Sequence, residues 1–576
     1  MSETAPTQPS LLRRQWESFS FIGLVVATLF FAASLTPSLL PRHYPVQGIL
    51  SGFALAAGYS IGVGLLLLWM YLELPRPGAK LEAVSRRVTS VAVVIVAVLF
   101  LWRATVWQNS IRERMAMEPV ASAYPLHVAG IAAVVGFLFV AATRVLFRLW
   151  SLLHVRISRV VPRRVSYVLT TLLVVLAVVS FVNRVVARLA LHVADRVFLK
   201  VDMSVDEGMA APADPLACGS GDSLVSWETI GRQGKEFLLT GPTEEAIRTL
   251  KGTSARQPLR VYAGLGSRET MEERAELALD ELKRCGGFER SVLIVATPTG
   301  TGWLDPAAVD TVECLHGGDT AIVSMQYSYL PSWITILVDP NRSREAAEAL
   351  FGAVYGHWRT LPKDRRPRLY LHGLSLGSLG SESSADLFTI FEDPIQGAVW
   401  SGPPFPSTVW AHAVAGRNPG SPMWLPTIRD GSMLRFTGRE NALPAAGNRW
   451  GPLRFVYIQH ASDPMVFFRR DLLYRRPEWL AEPRGPDVSP YLRWYPVVTF
   501  LQVLFDLPMA TSTPLGYGHN YAHASYIDAW REVTLPEGWT DEGIRRLKRH
   551  FEEQPAPSPL PGATGRSAPP HSSSSP

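Results

Sequence analysis

Hydrophobic positions divide this chain into two halves with different periods. Up to about residue 198 they gather in long runs, at 19–40, 46–72, 88–106, 124–147 and 165–182. Each run approaches or exceeds the roughly 20 residues needed to cross a bilayer. Five such runs separated by short basic loops predict an α-helical transmembrane bundle of about five spans. Beyond it the apolar runs shrink to a few residues without polar alternation, at 261–263, 292–296, 321–326, 369–371, 397–400 and 454–459. Amphipathic stretches at 271–283, 344–359 and 380–391 lie between them. That alternation predicts a mostly parallel sheet buried on both faces.

The divisions that follow are a cytoplasmic segment at 1–18, a transmembrane region at 19–183, and a juxtamembrane helix and linker at 184–222. A catalytic-sized domain follows at 223–552, then a disordered Pro/Ser-rich tail at 553–576. Within the third division, 183–200 mixes Arg184, Arg188 and Arg196 with Val, Leu and Phe, and reads either as an amphipathic surface helix or as an extension of the fifth span. The first run is too long for the apolar core of a signal peptide, and residues 1–10 carry no basic charge, so it is expected to stay in the protein.

Charge orients the spans. Arg13, Arg14, Arg76, Lys80, Arg86, Arg87, Arg148, Arg156, Arg159, Arg163 and Arg164 fall on one side, and only Arg42, Arg112 and Arg114 on the other. The positive-inside rule places the first side in the cytoplasm. Five spans then make a multi-pass protein of the cell membrane with its C-terminal domain extracytoplasmic. The net charge of +6 resides in these loops, so no nucleic acid partner is implied. Span interiors lack acidic residues, which argues against an ion or proton path. The three cysteines do not make a disulfide framework, and unpaired thiols are expected, with a Cys285–Cys314 bridge as the alternative.

The chemistry begins at Gly373-Leu-Ser-Leu-Gly377, directly behind the apolar run 369–371. A buried strand ending in Gly-x-Ser-x-Gly and entering a helix is the nucleophile elbow of an α/β-hydrolase, which holds the serine hydroxyl above the sheet edge. Ser375 needs a base, and the base needs a carboxylate to fix its tautomer. In this fold the chain order is serine, acid, histidine. Asp463, in the loop after the run 454–459, is the expected acid, with Asp506 second. His519, in a glycine-rich loop, is the expected base, with His523 second. The pair His519/His523 lacks a third ligand, so no metal is called for, and no cofactor either. The oxyanion requires two backbone donors. Leu376 follows the nucleophile, and Thr299 and Gly300 sit in the loop after the run 292–296. Tyr327, Trp333 and Trp303 are candidates for the substrate pocket. The excursion 403–450 resembles a cap, where Trp410, Trp424 and Trp450 line a pocket or fill the core.

Several longer motifs go further. Ser226-Trp-Glu-Thr-Ile-Gly-Arg-Gln-Gly234, Pro298-Thr-Gly-Thr-Gly-Trp303, Gln326-Tyr-Ser-Tyr-Leu-Pro-Ser-Trp333, Gln459-His-Ala-Ser-Asp-Pro464 and Gly518-His-Asn-Tyr521 resemble the actinobacterial multi-pass membrane α/β-hydrolase family. The resemblance covers its transmembrane N-terminal region and its C-terminal catalytic domain. It implies a Ser–Asp–His triad at Ser375, Asp463 and His519. The chain departs from the family pattern at Leu374, where an acidic residue is usual, and at Tyr517, which replaces a histidine.

These readings converge on a membrane-anchored serine hydrolase acting through an acyl-enzyme on an ester of a lipid or envelope component. An acyltransferase with the same triad is the alternative, and a non-enzymatic membrane scaffold the third. The sequence leaves the oligomeric state open.

Overall fold

The computed structural model describes residues 20–75, 78–181, 209–384, 392–446 and 449–553. The segment 1–18, the surface helix expected at 183–200 and the tail from 554 lie outside them. The chain divides into two compact units. One comprises Met1–Val201, Pro422–Trp424 and Ala461–Met509, and the other Asp202–Ser421, Leu425–His460 and Ala510–Pro576.

The first unit is helical: α1 (Phe21–Ser34), α2 (Tyr44–Tyr71), α3 (Ala79–Arg114), α4 (Pro125–Ile157) and α5 (Arg163–Phe181). Pro45 and Pro125 sit in the first turns of α2 and α4, where a missing N–H costs nothing. Glycines bring α1 and α2 together: a Cβ on Gly62 would lie 2.8 Å from the Gly23 Cα. Among the described residues four helices, α2 to α5, are long and apolar enough to cross a membrane. The expectation from the sequence was about five.

The run 19–40 does not form one span. Its helix α1 has 14 residues, which at ~1.5 Å each falls short of a hydrocarbon core of about 30 Å. The helix stops before Thr36-Pro37, because a residue preceding proline is pushed out of the α region. The rest of the run folds back as a buried loop in which Leu35, Leu39 and Leu40 are almost wholly covered. A further apolar helix from much later in the chain, Val498–Asp506, packs on α1 and α2 within this unit.

The second unit is built on a seven-stranded, wholly parallel sheet in the order β1-β3-β2-β4-β5-β7-β6. The strands are β1 (Leu259–Ala263), β2 (Val292–Thr297), β3 (Thr320–Met325), β4 (Arg368–Leu374), β5 (Gly397–Ser401), β6 (Leu434–Thr437) and β7 (Arg454–Ile458). Every residue of β2, β3 and β5 is buried, which is why their runs show no polar alternation. The flanking helices form two sets. Asn341–Thr360 packs on both Met271–Arg284 and Leu376–Ser384, and Pro306–Leu315 packs on His523–Thr534. β6 falls inside the stretch that resembled a cap; it is an edge strand with Arg435 at its centre. The three cysteines are buried free thiols.

Candidate active site

Register aligns the carboxyl ends of the central strands: Thr297 pairs with Gly373, Leu374 with Ser401, and Ser401 with Ile458. Ser375 stands at this edge, between β4 and the helix Leu376–Ser384. Its φ is +58°, a left-handed conformation costly for a residue with a side chain. The turn is held by the Ser375 amide, which donates to the Ser401 carbonyl at 3.0 Å. The flanking glycines are sterically required. A Cβ on Gly373 would lie 2.2 Å from the Gly377 carbonyl oxygen, and one on Gly377 would lie 2.1 Å from that of Thr297. The Ser375 hydroxyl is buried and makes no hydrogen bond among the described residues. The Leu376 amide opens the helix, in a first turn whose N–H groups have no intrahelical acceptor.

His519 reaches the same edge from a tightly tied loop. Its amide donates to the Ala510 carbonyl at 2.8 Å, and Gly516 and Gly518 take positive φ on either side of Tyr517. The imidazole lies against Gly402, just past β5, so closely that a Cβ there would be 2.4 Å from Cε1. Tyr521 packs edge-on to it, with ring centroids 5.8 Å apart. His523, four residues on, faces elsewhere. It stacks on Phe551 at 4.7 Å, and burial pushes its pKa down to about 4.

Asp463 belongs to the first unit. It is fully buried and caps the short helix Pro464–Phe467, its Oδ1 accepting from the Met465 amide at 2.8 Å. Asp506, the second candidate acid, is enclosed in the same unit and ion-paired to Arg42 at 2.8 Å.

The loop after β2 is closed on itself. The Thr299 amide donates to the Trp303 carbonyl at 2.9 Å and the Gly300 amide to Ser332 Oγ at 3.0 Å. Both candidate oxyanion donors therefore hold other acceptors in this arrangement. Tyr327 is fully buried, its hydroxyl donating to the Pro298 carbonyl at 3.2 Å, whereas Trp303 is half-buried and Trp333 exposed on its helix. Trp410 is a core residue that donates to Gln459. Trp450 stacks with Arg435 and Arg454, Arg454 being the first residue of β7, at the end of that strand opposite Ile458. Trp424 donates to the Pro483 carbonyl within the first unit.

Sequence reasoning passed over Asp305. Its carboxylate caps the helix Pro306–Leu315 by accepting from the Ala307 amide at 3.0 Å. It also accepts from the Tyr526 hydroxyl, which hydrogen-bonds Ser401 Oγ at 2.6 Å, and it feels the charge of His519. Desolvation pushes its pKa up to about 7 from an ordinary 3.8. The available signal was Leu304-Asp-Pro306, an N-cap followed by proline. Protonated Asp305 contributes stability that is full below the ordinary value and is lost as pH rises through about 7. Asp305→Asn keeps the cap but not the titration. The stability of the variant relative to wild type should therefore increase from pH 4 to 8, by up to about 4 kcal/mol. Thermal midpoints across that range check it, and a difference independent of pH would refute it.

Residues 259–547 match a family model described as "Alpha/beta-hydrolase family", and residues 35–242 match one described as "Alpha/beta-hydrolase family N-terminus". No curated protein and no solved structure among those compared matches the chain.

Proposed function

Since the chain belongs to the alpha/beta-hydrolase family, we propose that it is a membrane-anchored serine hydrolase that cleaves esters through an acyl-enzyme. The observation that carries this reading is Ser375 held at positive φ on a strand–turn–helix at the carboxyl edge of a parallel sheet. Ser375 Oγ attacks the ester carbonyl while His519 takes its proton, with Asp463 fixing the imidazole tautomer. The oxyanion draws on the Leu376 amide and on a second donor from the Thr299–Gly300 turn, where the Ser332 hydroxyl must first release the Gly300 amide. The imidazolium then protonates the leaving alcohol, and water attacks the acyl-enzyme with His519 again as base.

A lipid or envelope ester is the proposed substrate class. The apolar helices support it, as does an apolar cavity of about 280 Å³ in the first unit, lined by Phe53, Phe139 and Phe500. Covalent labelling of the full-length protein in membranes by a fluorophosphonate tests the reading, and an unlabelled protein would sink it. Acyl transfer is the second reading, favoured by the burial of Ser375, which is 1 % exposed. An ester product that appears only when an alcohol acceptor is added would select it.

The basic loops at 76–87 and 148–164, on the same side of α3, α4 and α5, support a catalytic unit outside the cell membrane. A phosphatase reporter fused after Pro576 should then be active. If the second unit resists protease in spheroplasts and is degraded only after lysis, that orientation is wrong.

A further inference from the structure

Segment Ala461–Met509 lies in the chain between the last strand and the His519 loop, yet it belongs to the compact unit of the apolar helices. Two buried polar links fasten it there. In the first, Arg42, from the loop after α1, pairs with Asp506 with neither side chain exposed. Arg42 Nη2 also donates to the Gln502 carbonyl at 2.9 Å, and its Nη1 to Gln47 Oε1 at 3.2 Å. The Ser38 hydroxyl donates to the other Asp506 oxygen, and Gln502 Nε2 donates to the Thr36 carbonyl at 2.9 Å. In the second link, Ser110 Oγ on α3 meets Ser489 Oγ at 2.7 Å.

From each link, packed or hydrogen-bonded neighbours lead to Asp463. The helix Val498–Asp506 packs on the short helix that Asp463 caps, with the rings of Phe500 and Phe468 5.4 Å apart. Two residues before Ser489, Asp487 Oδ2 accepts from both the amide and the hydroxyl of Ser462, at 3.0 and 2.6 Å. Ser462 is the neighbour of Asp463, so Asp487 fixes the peptide from which that carboxylate projects.

We infer that the apolar helices orient the triad acid, with Arg42 and Asp487 as positioning residues for Asp463. The inference rests on Asp463 being that acid. It gives the helices a part in catalysis in addition to holding the chain in a membrane. A carboxylate displaced by a fraction of a hydrogen-bond length no longer fixes the imidazole, and misplacement of about 1 Å costs up to about 10²-fold in rate.

The experiment is a pair of double-mutant cycles in the full-length protein in membranes, normalised to folded protein. Arg42→Ala and Asp487→Asn are each combined with Asp463→Asn, and turnover of a short acyl ester is measured. Each positioning variant alone should lower kcat by about 10-fold to 10²-fold with KM little changed. In the Asp463→Asn background each should cost nothing further, because the group it positions is gone. A merely structural role would produce equal losses in both backgrounds, and that result overturns the inference. So does full turnover in both single variants. If Arg42→Ala fails to fold, Asp487→Asn decides alone, since asparagine fills the same space but lacks the charge with which the carboxylate holds both Ser462 donors. Turnover that survives Ser375→Ala would sink the hydrolase reading itself. Turnover that needs Ser375 and Asp463 but ignores Arg42 and Asp487 would sink only the positioning.

Discussion

Ser375→Ala is expected to abolish fluorophosphonate labelling and to lower ester turnover by about 10⁶-fold, the loss seen when a serine nucleophile is removed. His519→Ala should match it, because a hydroxyl without its base is hardly a nucleophile. Asp463→Asn should cost about 10⁴-fold by leaving the imidazole in the wrong tautomer. Combined, the three losses should not add, since the groups act as one unit. His523→Ala should leave labelling intact: its ring stacks on Phe551, away from Gly402, and burial holds it neutral. Labelling that survives His519→Ala but vanishes in His523→Ala would reverse the assignment of the base.

Gly377→Ala should be as damaging to the site, for a steric reason. The added Cβ would lie 2.1 Å from the Thr297 carbonyl oxygen and 2.8 Å from that of Pro298. Both are backbone atoms, and Thr297, the last residue of β2, is tied by register to β4, so its carbonyl cannot yield without parting the strands that carry the elbow. Overpacking usually costs about 1–3 kcal/mol, and a clash with fixed backbone belongs at or above the top of that range. The variant should lose both labelling and thermal stability. Gly352→Ala is the control: it lies on the helix Asn341–Thr360 with nothing within 4 Å of its added Cβ. There alanine should be neutral, or stabilise by up to about 1 kcal/mol. A Gly377→Ala protein as stable and as reactive as the Gly352→Ala protein would refute the steric account.

Local patterns were legible and long-range partners were not. The fully buried strands and the strand–turn–helix at Ser375 follow from short apolar runs and glycine spacing, both properties of adjacent residues. Edge strand β6 escaped because Leu-Arg-Phe-Thr puts a charge at its centre, where Arg435 stacks on Trp450. The first apolar run was read as a span because hydropathy averages over Pro37, although that proline ends the helix. Asp305 looks like an ordinary N-cap in sequence. Only the fold brings it to Tyr526 and into the field of His519. The membership of Ala461–Met509 depends on side chains hundreds of positions away, which no window along the chain can see.

That wide separation sets an order of assembly. Arg42 leaves the ribosome 464 residues ahead of Asp506. Throughout that interval its guanidinium has only water and nearby side chains to satisfy it, and the helical unit lacks the Val498–Asp506 helix that will cover it. By the time Asp506 is made, every strand of the sheet has already been synthesised. Closure of the helical unit is therefore a late event in biogenesis, and it requires helices that are already in place to receive the returning segment. A nascent chain whose helices fail to insert, or one cut short before residue 506, would be left with a sheet and an elbow but an open helical unit. Quality control that recognises exposed apolar helices would find such chains by the uncovered faces of α1 and α2.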